Sequence, residues 1–472
     1  MASRSDQLHS HQFVLQRVVG ALAMRDPDPA SSPLRRIGGA LFASVMVAAL
    51  ALAAVGVYGV LRPGPSDSWR TGNALIIEEE TGARFVYRDG VLHPVLNYPS
   101  ALLILGAAAP PRARVPRASL VGVTRGGALG IAGAPDLLPG VNELLNLGWT
   151  LCSRQATSAG TEAAVESVLL VGATPSGTVA KLGVRGLIAR DSNGGLHLLW
   201  NNRRYAITDP DLVLAAFAWP RQAIVPAATA LLNAVPAGAD LGRMRVERSD
   251  KDSPVPGFRV GQVFVVSNQS GGRQFGVARP TGLAEITSVQ ADLLVADAAN
   301  GLGGKPKDMG QAQYAAAPKA ASLVPTGDAA PPALTPEPMA IGAPGSASPA
   351  APCASFGAGG TPPELTVVSP APRTGDERRS VRSTADLASP ADWIAVPPGR
   401  GVLVEALAGP GSPTGALALV TDLGVRYPVP SREVLGTLGY GGVTPLRLPA
   451  ALVALLPSGR ALDPAAAVTV VN

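Results

Sequence analysis

The longest uninterrupted apolar run lies near the N-terminus, from Ile37 to Leu61, where IGGALFASVMVAALALAAVGVYGVL holds no charged residue. At 1.5 Å per residue its 25 positions make a helix of roughly 37 Å, enough to cross a hydrocarbon layer of about 30 Å with some tilt. Before it lie Arg4, Arg17, Arg25, Arg35 and Arg36, the last two abutting the span; Arg62 and Arg70 are the nearest basic residues after it. This bias predicts an N-terminus in the cytoplasm and everything beyond Leu61 outside the membrane. The alternative, a cleaved signal peptide ending near Ala49–Ala53, fits less well, because both the leading arm and the apolar run exceed the usual lengths. In the arm, Phe13, Val14, Arg17, Val18 and Leu22 recur at helical spacing up to Asp26-Pro27, which predicts a helix with one apolar face.

Beyond the span the pattern becomes repetitive. Four apolar strands, NALIIEEE, LHLLWN, VFVVSN and ALALVTD, each run into a tight turn and a signature of Arg or Gln followed by an aromatic. The signature pairs are Arg84-Phe85, Arg204-Tyr205, Gln274-Phe275 and Arg426-Tyr427. Gly and Asn in the turns supply the positive φ of a β-hairpin. Each hairpin leads into a short apolar helix: YPSALLIL, DPDLVLAAFAW, TSVQADLLVADA and SREVLGTLGY. Pro99 and Pro210 suit the first helical turn, while Thr287 and Ser431 suit N-caps. The units close with segments led by Pro116, Pro226, Pro318 and Pro449 and ended by Gly126, Gly238, Gly327 and Gly459. Units this small need a common body to dock on. The stretches around LLNLGWTLCSR and GRGVLVEALAG provide it, giving the nearly palindromic order repeat, core half, repeat, repeat, core half, repeat.

The expected fold class is therefore a membrane-anchored α+β protein. It has one N-terminal transmembrane helix, then an elongated extracytoplasmic region with a discontinuous β-rich core and four small repeat domains of β-hairpin plus short helices. Expected boundaries are arm 1–36, span 37–61, repeat 73–127, core 128–192, repeats 193–245 and 258–330, an Ala/Pro/Gly-rich linker 331–365, core 366–412 and repeat 413–467.

Composition refines this picture. Aromatics make only 4% of 472 residues, so the cores must consist mainly of Ala, Val and Leu. Net charge is +5, but only 15% of residues are charged and no dense Lys/Arg run stands outside the membrane flank, which argues against nucleic acid as a partner. Cys152 and Cys353 are the only cysteines. In an oxidising compartment a disulfide is their natural state; two buried thiols or a metal site are the alternatives, the latter lacking any ligand spacing.

The GAPDLLP…WTLC segment ending at Cys152, and above all GVLVEALAG…LVTDLGVRYPVPSREVLGTLGYGGVTPLRLPAALVALLPSGRALDPAAA, resemble the EccB family of type VII (ESX-type) secretion systems across most of the chain. The resemblance implies a membrane-anchored core subunit that assembles with EccC-, EccD- and EccE-type subunits, and a region of core and four repeats held by one disulfide. No cofactor is expected. Family members are often labelled ATPases, yet the nearest glycine-lysine stretch, Gly301 to Pro306, has Pro where a Ser or Thr would coordinate magnesium and lacks the preceding Gly of a phosphate loop. His93 and His197 stand near no nucleophile motif, and the run Glu78-Glu79-Glu80 reads as a solvated strand end. No catalytic, cofactor-binding or metal-ligating residue is assigned. A second reading takes the units as a peptidoglycan-binding anchor, with Trp200, Trp219 and Tyr440 stacking on sugars.

Overall fold

The computed structural model describes residues 4–25, 33–61, 68–156, 164–219, 224–247, 251–300, 304–339, 341, 350–359, 361–382, 386 and 389–471. They form two compact units: one takes in residues up to 72 with 76–83 and 113–123, the other takes in 73–75, 84–112 and 124 onward.

The first unit carries helices α1 (Arg4–Met24) and α2 (Pro33–Leu61). In α2 the stretch Ile37–Tyr58 has a mean hydropathy of 2.5 and is entirely unburied, as a membrane span should be in the absence of lipid. The backbones of Arg35 and Arg36 belong to this helix, but their side chains lie outside the described residues, as does the stop at Asp26-Pro27. On α1, Phe13, Val14, Val18 and Leu22 are all exposed.

The remaining elements show how the repeat is built. The first copy supplies strands β1 (Leu75–Glu78), β2 (Arg84–Arg88) and β3 (Val91–Pro94), helix α3 (Tyr98–Leu105) and strand β4 (Arg112–Val115). After a short strand β5 (Ala128–Leu129) come core strands β6 (Trp149–Gln155), β7 (Val165–Leu170) and β8 (Thr178–Lys181). The second copy is β9 (Leu187–Arg190), β10 (Leu196–Trp200), β11 (Arg203–Ile207), α4 (Pro210–Phe217), β12 (Ile224–Pro226) and α5 (Thr229–Ala234). The third is β13 (Val263–Ser267), β14 (Arg273–Arg279), β15 (Gly282–Ile286), α6 (Ser288–Ala296), β16 (Lys307–Asp308) and α7 (Gln311–Ala316). Core strands β17 (Ala351–Phe356), β18 (Glu364–Ser369), β19 (Glu377–Arg379) and β20 (Trp393–Ala395) follow. The fourth copy is β21 (Val402–Leu407), β22 (Ala416–Val420), β23 (Arg426–Val429), α8 (Arg432–Thr437), β24 (Leu446–Pro449) and α9 (Ala450–Val453), before α10 (Pro464–Ala467) and β25 (Val470–Val471).

In copies two to four the sheet order is the same: the third strand pairs with the second, the second with the first, both antiparallel, and the fourth strand joins the first in parallel. The unit is thus a three-stranded meander, a helical crossover and a parallel closing strand rather than a hairpin plus helix. The parallel return needs a crossover, and the short apolar helix provides it. Caps fall where the sequence puts them. Thr287 Oγ1 accepts from Gln290 N in a capping box, Ser431 Oγ accepts from Val434 N, and Pro99 and Pro210 open their helices.

Several expected boundaries move. The Arg84-Phe85 and Gln274-Phe275 signatures sit on the second strand of their meanders, whereas Arg204-Tyr205 and Arg426-Tyr427 sit on the third. The signatures therefore mark non-equivalent hairpins, because an alternating strand followed by a Gly or Asn turn fits either hairpin of a meander. As a result β9 and β21, assigned to the core at 128–192 and 366–412, are the first strands of copies two and four. In the third copy the closing strand is β16, upstream of Pro318. The stretch taken as linker, 331–365, contains β17, a central strand of the core.

The core is one seven-stranded sheet ordered β19-β20-β7-β6-β17-β18-β8, built from both halves of the chain. Trp149, Leu151, Leu169, Phe356 and Val367 from this sheet share one apolar cluster with Leu231 and Leu232 of α5, Val402 and Val404 of β21, and Leu452 and Val453 of α9. Copies two and four are thereby packed on the core. Copy three joins copy two, with Val289 and Leu293 of α6 against Val213 and Leu214 of α4. Leu103 of the first copy's α3 packs with Leu419, Tyr427 and Leu438 of copy four, and β25 pairs antiparallel with β5.

Candidate functional site: a stapled core and its repeats

At the centre of the core sheet Cys152 on β6 stands directly opposite Cys353 on β17 in the antiparallel register. The two are joined by a disulfide between positions 201 residues apart in sequence. Both side chains are buried and pack with Ala351 and Val368. The bond thus ties the first half of the core to the second in its most protected layer.

Beside it the sheet holds a charge that the sequence gave no sign of. Arg154, on the same strand as Cys152, is 6% exposed. It reaches Glu377 at 2.8 Å and Glu166 at 3.6 Å, donates to the Pro372 carbonyl at 3.1 Å, and lies 5.4 Å from the centroid of Trp393. A buried guanidinium persists only with its donors satisfied, and here it fastens the 372–379 segment to the sheet. Ser167 and Asp392 add a second tie, with Ser167 N and Oγ both donating to Asp392 Oδ2 at 2.8 Å.

The signature aromatics pack within their own copies. Phe85, Tyr205 and Tyr427 are buried, and burial pushes the phenols of Tyr205 and Tyr427 above their ordinary range. Arg125 lies over Phe85 and Arg273 over Phe275, while Gln274 donates to Glu285 at 3.3 Å and to the Tyr314 hydroxyl at 3.0 Å. Arg426 Nε donates to the Leu456 carbonyl at 3.0 Å, and burial lowers its pKa against the pull of Asp386. Arg84 opens β2, half-buried.

A deeper regularity links the third strand to the segment that closes each unit. Gly126, Gly238 and Gly459 donate their N–H to the carbonyls of Leu92, Arg204 and Arg426, and Ala320 donates to that of Leu283. One residue further along the strand stand His93, Tyr205, Tyr427 and Ala284. A Cβ built on the three glycines would come within 2.2 to 2.4 Å of the opposed His93, Tyr205 and Tyr427 rings. Where the strand carries a ring the crossing residue is Gly; where it carries Ala, in copy three, the crossing residue is Ala. Gly327, expected to close the third copy, does not occupy this position.

Residues considered for chemistry fall into local roles. His93 Nδ1 lies 2.9 Å from the Gly127 carbonyl, and His197 Nε2 lies 3.1 Å from Asp191 Oδ2. At Asp191, burial raises the carboxyl pKa, but His197 and the Asn193 and Gly195 amides together outweigh it and the net direction is down. Glu78 pairs with Arg117 at 2.7 Å and Glu80 accepts from the Arg117 amide, so the acidic run is engaged with one arginine. Trp219 and Tyr440 are buried, leaving Trp200 half-exposed as the one of the three that presents ring surface. Gly301 to Gly303 of the glycine-lysine stretch lie outside the described residues; Lys305 and Pro306 lead into β16, with no helix start where a phosphate loop requires one. Among the described residues no three His, Cys, Asp or Glu side chains gather as metal ligands would.

Comparison with known proteins gives these features a context. The family described as "Type VII secretion system ESX-1, transport TM domain B" matches residues 1–471. The ESX-3 secretion system ATPase EccB3 of Mycolicibacterium smegmatis is 28% identical, over 97% of this chain and 88% of its own length. EccB3 of Mycobacterium tuberculosis is 28% identical over 64% of this chain and 58% of its length. Among solved structures, the EccB3 dimer from the ESX-3 core complex matches with a TM-score of 0.63 and 26% identity, over 84% of this chain and all of that one. A chain of the intact ESX-5 inner membrane complex matches all of this chain at a TM-score of 0.66 and 24% identity, a likeness of fold. The family model thus spans the apolar helix and the whole region of sheets that follows it, and the chain belongs to the EccB family, the membrane-anchored B component of type VII secretion systems.

Proposed function

We propose that this chain is a scaffold subunit of a type VII secretion membrane complex, with its arm in the cytoplasm and the region beyond Leu61 outside the membrane. The observation that carries the reading is the family match across the anchor helix and the whole repeat region. The arginine bias before α2 supports the orientation, and the disulfide fits an oxidising compartment. EccC-, EccD- and EccE-type subunits are the proposed partners, since relatives are seen within ESX inner membrane complexes. The four copies would offer them binding faces, and α1 and α2 would pack on other subunits or lipid.

Relatives bear the name ATPase, but the only glycine-lysine stretch here lacks the residues that hold magnesium and phosphate. We assign the complex's ATP turnover to another subunit.

Solubilisation in mild detergent, native-size analysis and identification of co-purifying subunits test the assembly. Recovery only as a lone chain under several gentle conditions would refute it. Orientation is read by labelling Ser10→Cys and Ser270→Cys, in separate proteins, with a membrane-impermeant maleimide on intact cells. Labelling at 270 and protection at 10 is the expected pattern, and the reverse would overturn the topology.

A further inference from the structure

Where copies two and four meet the core, a cavity of about 330 Å³ opens beside the end of β17. Its floor is apolar, formed by buried Phe356, Val235 and Leu407. Five of its lining residues are prolines, drawn from four separate segments, so those parts of its wall are stiff and offer no N–H at these five positions. Two arginines, Arg203 and Arg204, stand at one side, and no acidic residue lines it. Arg203 reaches the Ala237 carbonyl at 3.3 Å, but Arg204 Nε is buried and meets no acceptor among the described residues. A buried donor left in this state is costly, and an anion in the cavity would relieve it by drawing the guanidinium round to face the opening.

We propose that this cavity binds the carboxyl terminus of an extended peptide whose last residues are small and apolar. A guanidinium fork matches a carboxylate in two parallel hydrogen bonds. A phosphate would find the same guanidinium groups, but the apolar floor beside them suits an aliphatic side chain carried next to a carboxylate. The floor takes an aliphatic side chain, and Asn233 and Thr361 on the lining offer groups for the last peptide amide. The volume suits the terminal two residues of a chain, with the rest leaving through the open side. The inference concerns a site within the repeat region and stands whether or not the assembly proposed above is recovered.

The test uses the full chain in detergent and the probe N-acetyl-Ala-Leu as its free acid and as its amide, with affinity read by calorimetry. The acid is expected to bind, and the amide at least tenfold more weakly. Arg204→Gln should cost the acid at least tenfold and leave the amide unchanged. Exposed Arg190→Gln, off the cavity, should leave both unchanged, and Ala450→Leu, which fills the cavity, should abolish both. An unaltered melting temperature of each unliganded variant separates lost binding from lost fold. Equal affinity for acid and amide, or no binding of the acid up to roughly 10 mM, would overturn the proposal. So would hexanoate binding as tightly as the peptide acid.

Discussion

Replacing Gly459 by Ala should loosen the fourth repeat, because the added carbon has no free space. Its Cβ would stand 2.4 Å from Cε1 of Tyr427, against an optimal carbon–carbon separation of about 3.5–4.0 Å, so something must move by roughly 1 Å. The ring cannot yield cheaply: it is buried among Leu419, Leu435, Leu438 and Leu462. Overpacking of this kind costs about 1–3 kcal/mol. Tyr427→Ala alone should cost about 3–5 kcal/mol through the cavity it leaves. The two together should cost little more than Tyr427→Ala, since the clash has gone and the site then resembles the Ala284–Ala320 pair of copy three; the coupling is about 1–3 kcal/mol. A chain of several units does not unfold in one step, so the reading is best taken locally. Hydrogen exchange at the amide of residue 459, bonded to the Arg426 carbonyl at 2.8 Å, and at that of Leu462, bonded to the Pro428 carbonyl at 2.8 Å, reports this crossing. Gly459→Ala should speed both by roughly 5- to 150-fold after correction for intrinsic rates. Wild-type protection in that variant, or strict additivity in the double mutant, would refute the size-compensation argument.

Other consequences can be checked independently. Cys152→Ser with Cys353→Ser should destabilise the core by about 2–5 kcal/mol, seen as a lower melting temperature, and the native cysteines should take maleimide only after reduction in denaturant. Arg154→Met should cost about 3–5 kcal/mol by leaving Glu377 uncompensated beside the sheet, and adding Glu377→Leu should recover part of it in thermal melts. The Tyr440 hydroxyl donates to the Pro139 carbonyl at 2.7 Å, and burial, then Glu143, pushes its pKa well above the ordinary 10.0. The folded state keeps a proton that the unfolded state loses, so this stabilisation is whole below about pH 10 and fades above it. Tyr440→Phe should flatten the alkaline limb of a stability-versus-pH curve, and an unchanged slope would contradict that origin.

Much of this architecture is legible in the sequence because its signals are local. The apolar run of α2 and the caps at Thr287 and Ser431 each rest on a few adjacent residues. The number of copies also emerges, since each brings its own strand, turn and helix. What misleads is degeneracy: the turns at Gly82 and Asn202 look alike although one follows the first strand of its meander and the other the second. Strand β17, APCASF, escapes notice for a different reason. Ala, Pro and Ser have little intrinsic preference for a strand, and this one is held by neighbours on both sides, β6 and β18. The matching of ring to Gly and Ala to Ala is invisible until the crossing segments are brought together, because the paired residues lie 32 to 36 positions apart. Arg154 is hidden likewise, its acidic partner Glu377 being more than 200 residues away.

The placement of Cys152 and Cys353 also decides how the chain would carry tension. Between them lie copies two and three, closed into a covalent ring, while the membrane anchor, copy one and copy four lie on the strand outside it. Once β25 has parted from β5 and copy one from copy four, a pull between the bilayer and the C-terminal residues would pass from one sulfur to the other and bypass the ring. Copies two and three would then keep their shape under a load that strains the rest, and reduction of the bond would put some 200 residues of slack into the line.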